Sequence, residues 1–328
     1  MSSTATDIEG PAAQSELSRF FGSNRVIGPL LGLIGLCVFL SFATDSFLST
    51  RNFLNILDQI SVIGIIAVGM TFVILIGGID LSVGSVLALS MMVLGVLQVH
   101  MGLPMYVAIS AALAVGAATG CVSGLLITML KIPAFIATLA MMSIARGLAS
   151  LITNGQQIIG FPSWFNMAAI IRYGGILTIT VGVMLSVFAL SWVYQRYRAG
   201  GRSLYAIGGN AEVARLAGIN VNKATIGVYT FCGFLSGLAG MVFAARLDAV
   251  QPSSGVAYEL DAIAAVVIGG TSLSGGTGGI GGTLIGVLII GVLRNGLNLL
   301  QVSPFMQQLV VGFVIVIAVG AEAFRGRK

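Results

Sequence analysis

Residues 53–77 read FLNILDQISVIGIIAVGMTFVILIG, an apolar run whose one charge is Asp58. About 20 apolar residues in a helix cross the hydrocarbon core of a bilayer. A strand of a membrane barrel would alternate polar and apolar positions, but here the apolar residues are consecutive. The run therefore reads as a spanning helix, and the fold class as an all-α, polytopic membrane protein.

The rest of the chain has the same character. Of 328 residues, 57% are hydrophobic and only 8% are charged; the mean hydropathy is +1.02. A soluble domain carries roughly 25% charged residues, so water is excluded as the solvent for most of this surface. Disorder is excluded as well, because it requires low hydrophobicity. The lipid bilayer is the expected partner. Nine further candidate spans lie at about 26–43, 83–99, 104–127, 132–152, 174–194, 224–245, 259–273, 279–300 and 304–323, giving about ten. The run 259–273 is short, and 83–99 follows its predecessor closely. Pro104, Pro133 and Pro304 sit at helix starts, where a missing N–H is tolerated. The run Val26–Ala43 follows Arg19 and Arg25 like a secretory signal. It lacks an A-x-A cleavage site and more spans follow, so it reads as a retained first helix.

The net charge of +5 does not call for nucleic acid. Basic residues of membrane proteins gather in cytoplasmic loops. With the N-terminus inside, the cytoplasmic side holds eleven basic residues: Arg19, Arg25, Lys131, Arg196, Arg198, Arg202, Arg215, Lys223, Arg325, Arg327 and Lys328. The outside holds three, Arg51, Arg172 and Arg246, while Arg146 and Arg294 fall within spans. This gives a cytoplasmic tail 1–25, a membrane domain 26–323 with a cytoplasmic loop 195–223, and a cytoplasmic tail 324–328.

Glycine supplies a second pattern. Gly116, Gly120 and Gly124 share a helix face, as do Gly233 and Gly237, and Gly278, Gly282 and Gly286 repeat the spacing. Small residues so spaced let helix backbones approach closely in lipid, and static packing is the favoured reading over a mobile interface. A short echo also appears: IGGIDLS at 76–82 and IGGTSLS at 268–274 each end an apolar run. Internal repeats and discontinuous helices are features of transporters, so broken or re-entrant segments are expected near 77–85 and 269–278.

Enzyme signatures are weak. GTGGIG at 276–281 matches G-x-G-x-x-G but lies between apolar spans, without the strand that a dinucleotide site needs. No G-x-x-x-x-G-K-[ST] pattern is present, so the chain is not expected to bind ATP by a P-loop. Cys37, Cys121 and Cys232 all lie in apolar runs, and His100 is the lone histidine. Neither a disulfide framework nor a metal site is expected. Asp80 and Asp261 fall near span ends, where they could cap helices or sit in turns. A proton-coupled carrier would need an acidic group in mid-span, so these placements argue against proton coupling.

The loop 195–223 is the most informative. Within it, GGNAEVARLAGINV at 208–221 reads as a short capped helix. Asn210 can cap its N-terminus. Glu212 and Arg215 suit the positive and negative ends of the helix dipole. Gly218 suits the stop. Val213, Leu216 and Ala217 form one apolar face. Two turns are unstable alone, so this face asks for a partner groove or for the membrane surface.

These segments resemble the permease subunits of bacterial ABC sugar importers of the ribose/xylose class, the ribose type most closely. The matching stretches are Asn52–Leu57, Ala67–Val73, Gly78–Ser85, Ala134–Leu139, Gly208–Val221, Leu260–Gly276 and Asn295–Leu300. The resemblance implies an inner-membrane transport subunit that is not itself an enzyme. It implies pairing with a second permease chain, as homodimer or with a paralogue, and work with a cytoplasmic ATPase and a periplasmic sugar-binding protein. ATP and magnesium would be used by the ATPase, and this chain would hold no cofactor. The family's ATPase-coupling role falls on Asn210, Glu212, Val213, Ala214, Arg215, Leu216 and Gly218.

Transport by alternating access is expected, with Thr71, Asp80, Ser82, Asn295 and Asn298 as candidate pathway residues. Asn295 and Asn298 are three apart and so share a helix face. Asp45, Arg51, Arg172, Arg246 and Asp248 are candidate docking contacts for the binding protein; an ordinary polar rim is the other reading. The runner-up function is a proton-coupled secondary sugar carrier, and a structural membrane protein or receptor is a third class. Ribose, another pentose, a hexose and a polyol remain open as cargo.

Overall fold

A computed structural model describes residues 27–325. The tail 1–25 and the last three residues lie outside the described residues, and with them Arg19, Arg25, Arg327 and Lys328. In chain order the helices are α1 Ile27–Ala43, α2 Thr50–Leu75, α3 Val83–Gly95 with a π turn Val96–His100, α4 Met105–Met129, α5 Ala134–Leu151, α6 Ser163–Ile170, α7 Ile179–Tyr197, α8 Ala199–Gly209, α9 Ala211–Leu216, α10 Val221–Leu247, α11 Tyr258–Ile268, α12 Ile280–Leu299 and α13 Pro304–Arg325. Two short strands, β1 Ile158–Ile159 and β2 Ala249–Val250, pair antiparallel with Ile158 opposite Val250.

Seven of these helices are long and apolar enough to cross a membrane: α2, α3 with its π turn, α4, α5, α7, α10 and α12. The sequence suggested about ten. Two of the others are shorter apolar helices, α1 and the 304–317 part of α13. The remaining one, α11, has 11 residues. At 1.5 Å per residue it rises only about 16 Å, roughly half of a hydrocarbon core.

Helix α2 is buried along nearly its whole C-terminal two thirds, from Ile60 to Leu75. A helix apolar on every face must be wrapped by others, and α7, α10, α11 and α12 all pack on it. The glycine spacing shows how closely. Gly116, Gly120 and Gly124 of α4 lie against Gly233, Tyr229 and Ile226 of α10, backbone to backbone. A Cβ at Gly120 would strike the Tyr229 carbonyl. Gly282 and Gly286 do the same for α12 against Gly269 and Ala265. Gly278, by contrast, precedes α12 and sits in the loop with φ +119°, so the third triplet does not share one helix. Gly120→Leu is expected to lower the stability of the purified protein by about 1–3 kcal/mol or more through overpacking, read as a fall in the thermal midpoint in detergent. An unchanged midpoint would mean that this contact is not close.

The IGG echo is a shared helix stop. At the end of α2, Gly77 has φ +78°, its N–H donates to Ile74, and that of Gly78 donates to Val73. At the end of α11, Gly270 has φ +89°, its N–H donates to Val267, and that of Thr271 donates to Val266. Both are paired C-terminal bonds of the Schellman type, which require the left-handed conformation at the first residue past the cap. The loop that follows α11 also touches the α2 stop, since the Gly276 N–H donates to the Leu75 carbonyl at 2.9 Å.

The chain breaks its helices twice in an inverted sense. After α2, residues 76–82 turn back into the protein, and the short buried α3 continues from them. After α10, Asp248 takes φ 52°, and residues 249–257 turn back in the same manner before the short α11. The starts of α3 and α11 then meet inside the protein, because Gly84 lies against the Gly255 backbone and the Glu259 carboxylate. Non-helical backbone at membrane depth is tolerated only when protein or a cavity surrounds it. Here Arg146 of α5 donates to the carbonyls of Pro252 and Ser254.

Candidate functional site

One end of the bundle gathers the ends of α2 and α11, the start of α12, and helices α8 and α9. The opposite end gathers β1, β2, α6 and the start of α7. Lys131, Arg196, Arg198, Arg202, Arg215 and Lys223 fall toward the first end.

At that end α9 is a short helix closed at both ends. The Asn210 side chain takes the N–H groups of Glu212 and Val213 at 3.0 and 3.1 Å. Its far end closes with Gly218 at φ +85°, the Gly218 N–H donating to Arg215 and that of Ile219 to Ala214. Arg215 and Glu212 are joined at 2.6 Å on the exposed side. Ala214 points inward and is buried, whereas Val213 is 59% and Leu216 88% exposed. Ala217 is exposed beside them. A capped helix thus presents an apolar face with nothing against it among the described residues.

Helix α8, unexpected from the sequence, seats α9. Its four glycines, Gly200, Gly201, Gly208 and Gly209, weaken helix propensity, which is why the stretch reads as loop. Packing overrides this: Leu204 and Ile207 are buried, Gly201 lies against the Tyr194 and Gln195 backbone, and Gly208 against Leu75 and Gly276. The Tyr205 hydroxyl donates to the Gly278 carbonyl at 2.8 Å. Burial pushes that hydroxyl's pKa up, with Arg196 pulling it back in part, so it stays a donor at neutral pH. Motion of α9 therefore has a short route, through α8, to the end of α2 and to the loop that joins α11 to α12.

Four of the five pathway candidates are buried and hydrogen-bonded. Thr71 meets Thr283 of α12 at 2.7 Å. Asn295 of α12 exchanges two bonds with Asn52 of α2, at 3.0 and 2.8 Å. These two polar pairs join the same two helices. Asp80 accepts from the N–H and hydroxyl of Ser82 at 2.9 and 2.6 Å. Its break lies deep in the protein, where the Ile79 carbonyl accepts from Thr138 and the Cys232 thiol reaches the Asp80 carboxylate. Asn298 is exposed and accepts from Gln307 at 2.8 Å. The three-residue spacing thus does not bring Asn295 and Asn298 to one neighbour.

Asp261, read from sequence as lying near a span end, and Arg294, read as lying within a span, form a pair that the sequence did not announce. Asp261 is 1% exposed and takes one Arg294 nitrogen on both oxygens, at 2.8 and 2.6 Å. The partner is 33 residues away in sequence, and only the depth of Arg294 in its apolar run gave a signal.

The outer candidates are scattered. Asp45 and Arg51 are exposed. Arg172 is tied to Asp58 at 2.8 Å and to Asn55. Arg246 is half-buried, within electrostatic reach of Asp58. Asp248 is the left-handed residue that ends α10. No cluster of three metal-ligating side chains occurs among the described residues.

A family model described as branched-chain amino acid transport system / permease component matches residues 52–319. The ribose import permease protein RbsC of Haemophilus influenzae is 46% identical over 324 residues, covering 98% of this chain and 99% of its own. The ribose import permease protein RbsC of Bacillus subtilis is 48% identical over 310 residues, covering 93% and 96%. The xylose transport system permease protein XylH of Escherichia coli is 33% identical over 365 residues, covering 93% of each. No solved structure matches.

Proposed function

This chain belongs to the branched-chain amino acid transport system / permease component family and is a permease subunit of an ABC sugar importer, and from that premise we propose that its cargo is ribose or a closely similar monosaccharide. The near-complete overlap with ribose import permeases supports a sugar over an amino acid. A periplasmic sugar-binding protein hands over the cargo, and two permease chains form the path. A separate cytoplasmic ATPase binds ATP and magnesium, and this chain holds no cofactor. The protein sits in the bacterial inner membrane with both termini in the cytoplasm.

The observation that carries this reading is the exposed apolar face of α9. A soluble groove of an ATPase supplies what Val213 and Leu216 lack. Coupling then falls on Asn210, Glu212, Val213, Ala214, Arg215, Leu216 and Gly218, with the cap and stop keeping the helix formed while it is pushed. Alternating access follows if α2 separates from α12. That separation breaks the Thr71–Thr283 and Asn52–Asn295 pairs and bares hydroxyls and amides to a passing sugar. Asp80 and Ser82 hold the turn beside this path, and Asn298 lies at its rim. Asp45, Arg51, Arg172, Arg246 and Asp248 form the outer rim available to the binding protein.

The test is uptake of labelled ribose into vesicles reconstituted with the chain, its ATPase and its binding protein. Uptake is expected to require internal ATP and to persist when a protonophore collapses the proton gradient. Uptake driven by a proton gradient with no ATPase present would replace this reading with a proton-coupled carrier.

A further inference from the structure

A concavity of about 460 Å³ opens at the α8–α9 end of the bundle, lined by Trp192, Gln195 and Arg196 of α7, Arg202 and Tyr205 of α8, and Gly281 of α12. Its lining has two guanidinium groups and no carboxylate. Among the described residues neither Arg196 nor Arg202 is in an ion pair. The 20-residue helix α12 starts here, and its N-terminus adds partial positive charge and free N–H groups.

A second, independent feature points to a ligand. Gln195 is 8% exposed. Its Oε1 accepts from the Ile280 N–H at 3.1 Å, which fixes the amide at the start of α12. Its Nε2 is buried and has no hydrogen-bond partner. An unmade bond on a buried amide costs about 1–3 kcal/mol, so a site that leaves one open beside two arginines and a helix N-terminus is short of an acceptor. Trp192 flanks the concavity and is 47% exposed, an amphipathic ring of the kind found at headgroup level.

We infer that this concavity binds the phosphate of an anionic phospholipid in the cytoplasmic leaflet, held by Arg196, Arg202 and the start of α12. The lipid source follows from position: the site lies where the spans α7 and α12 leave the apolar region, and an acyl chain can lie along the apolar face beside Trp192. The leaflet rests on the orientation proposed above; the binding does not, and it is read without transport.

Trp192 makes the test local, because the chain has two tryptophans and Trp164 is at the opposite end. The full chain carrying Trp164→Phe is placed in phosphatidylcholine nanodiscs containing a minor share of brominated phosphatidylglycerol or of brominated phosphatidylcholine. Brominated phosphatidylglycerol is expected to quench Trp192 more strongly than the equally brominated neutral lipid. Each of Arg196→Ala and Arg202→Ala is expected to lower this preference roughly fivefold, and together to remove it. The variants' Trp192 emission in unbrominated phosphatidylcholine, matching that of the parent, shows that the fold is kept. Equal quenching by both lipids in the parent, or an undiminished preference in the double variant, overturns the site. Quenching without lipid preference, combined with an emission shift on adding inorganic phosphate alone, overturns the lipid assignment in favour of a soluble phosphate.

Discussion

The double replacement Arg215→Glu with Leu216→Asp is expected to abolish sugar-stimulated ATP hydrolysis while the protein still inserts and folds. Leu216 is the most exposed apolar group of α9. Burying a leucine in a partner groove contributes about 1.5–3 kcal/mol. An aspartate there forfeits that gain and adds the cost of burying a carboxylate without a partner. Arg215→Glu turns an exposed pair with Glu212 into a repulsion and puts negative charge at the negative end of the helix. A combined loss of about 4 kcal/mol is roughly a thousandfold in docking affinity. The helix itself survives, because the Asn210 cap and the Gly218 stop are untouched, and neither side chain is buried in the chain. The check is ATP hydrolysis of the reconstituted transporter with and without loaded binding protein, beside a thermal melt of the permease alone. Unimpaired stimulation would place the ATPase contact elsewhere.

That helix was legible because all its determinants are local: a cap, a dipole-matched pair, a stop and an i, i+3, i+4 face within nine residues. The long spans were legible for the same reason, since continuous apolar runs need no partner to be recognised. The close helix contacts were half legible. The spacing of Gly116, Gly120 and Gly124 announced a contact but not that α10 makes it. The turn-back at 249–257 was not legible. Its residues are neither apolar enough for a span nor polar enough for an exterior loop, and what holds them is Arg146, more than a hundred residues earlier. Helix α8 was hidden by its glycines, which weaken it locally and allow its close seating. Asp80 and Asp261 look, from sequence, like residues near span ends. Only the folding-back of the chain after α2 and α10 carries them into the interior.

Removing one partner of the Asp261–Arg294 pair is expected to have the largest effect of any single change on folding. Asp261 is buried and bound on both oxygens by Arg294, whose side chain is 35% exposed on the surface of one chain. Asp261→Ala leaves a guanidinium at depth with no counter-charge. Breaking such a pair costs about 3–5 kcal/mol, and an unpaired charge inside the hydrocarbon region is penalised further. The stability of a whole domain is only about 5–15 kcal/mol, so the single variant should accumulate poorly and melt far below the parent. Replacing both partners with apolar groups, Asp261→Leu with Arg294→Met, removes the stranded charge, and such exchanges are often neutral or stabilising. The double variant is therefore expected to recover the melting temperature that the single one loses. That recovery separates a cost of unpaired charge from a general intolerance of substitution at the start of α11, which would leave both variants equally damaged. Uptake by the recovered double variant then reads a separate quantity. A permease that folds with this pair removed but no longer moves its sugar needs one or both of these charged groups for transport, and one that moves it normally uses the pair only to hold α11 against α12.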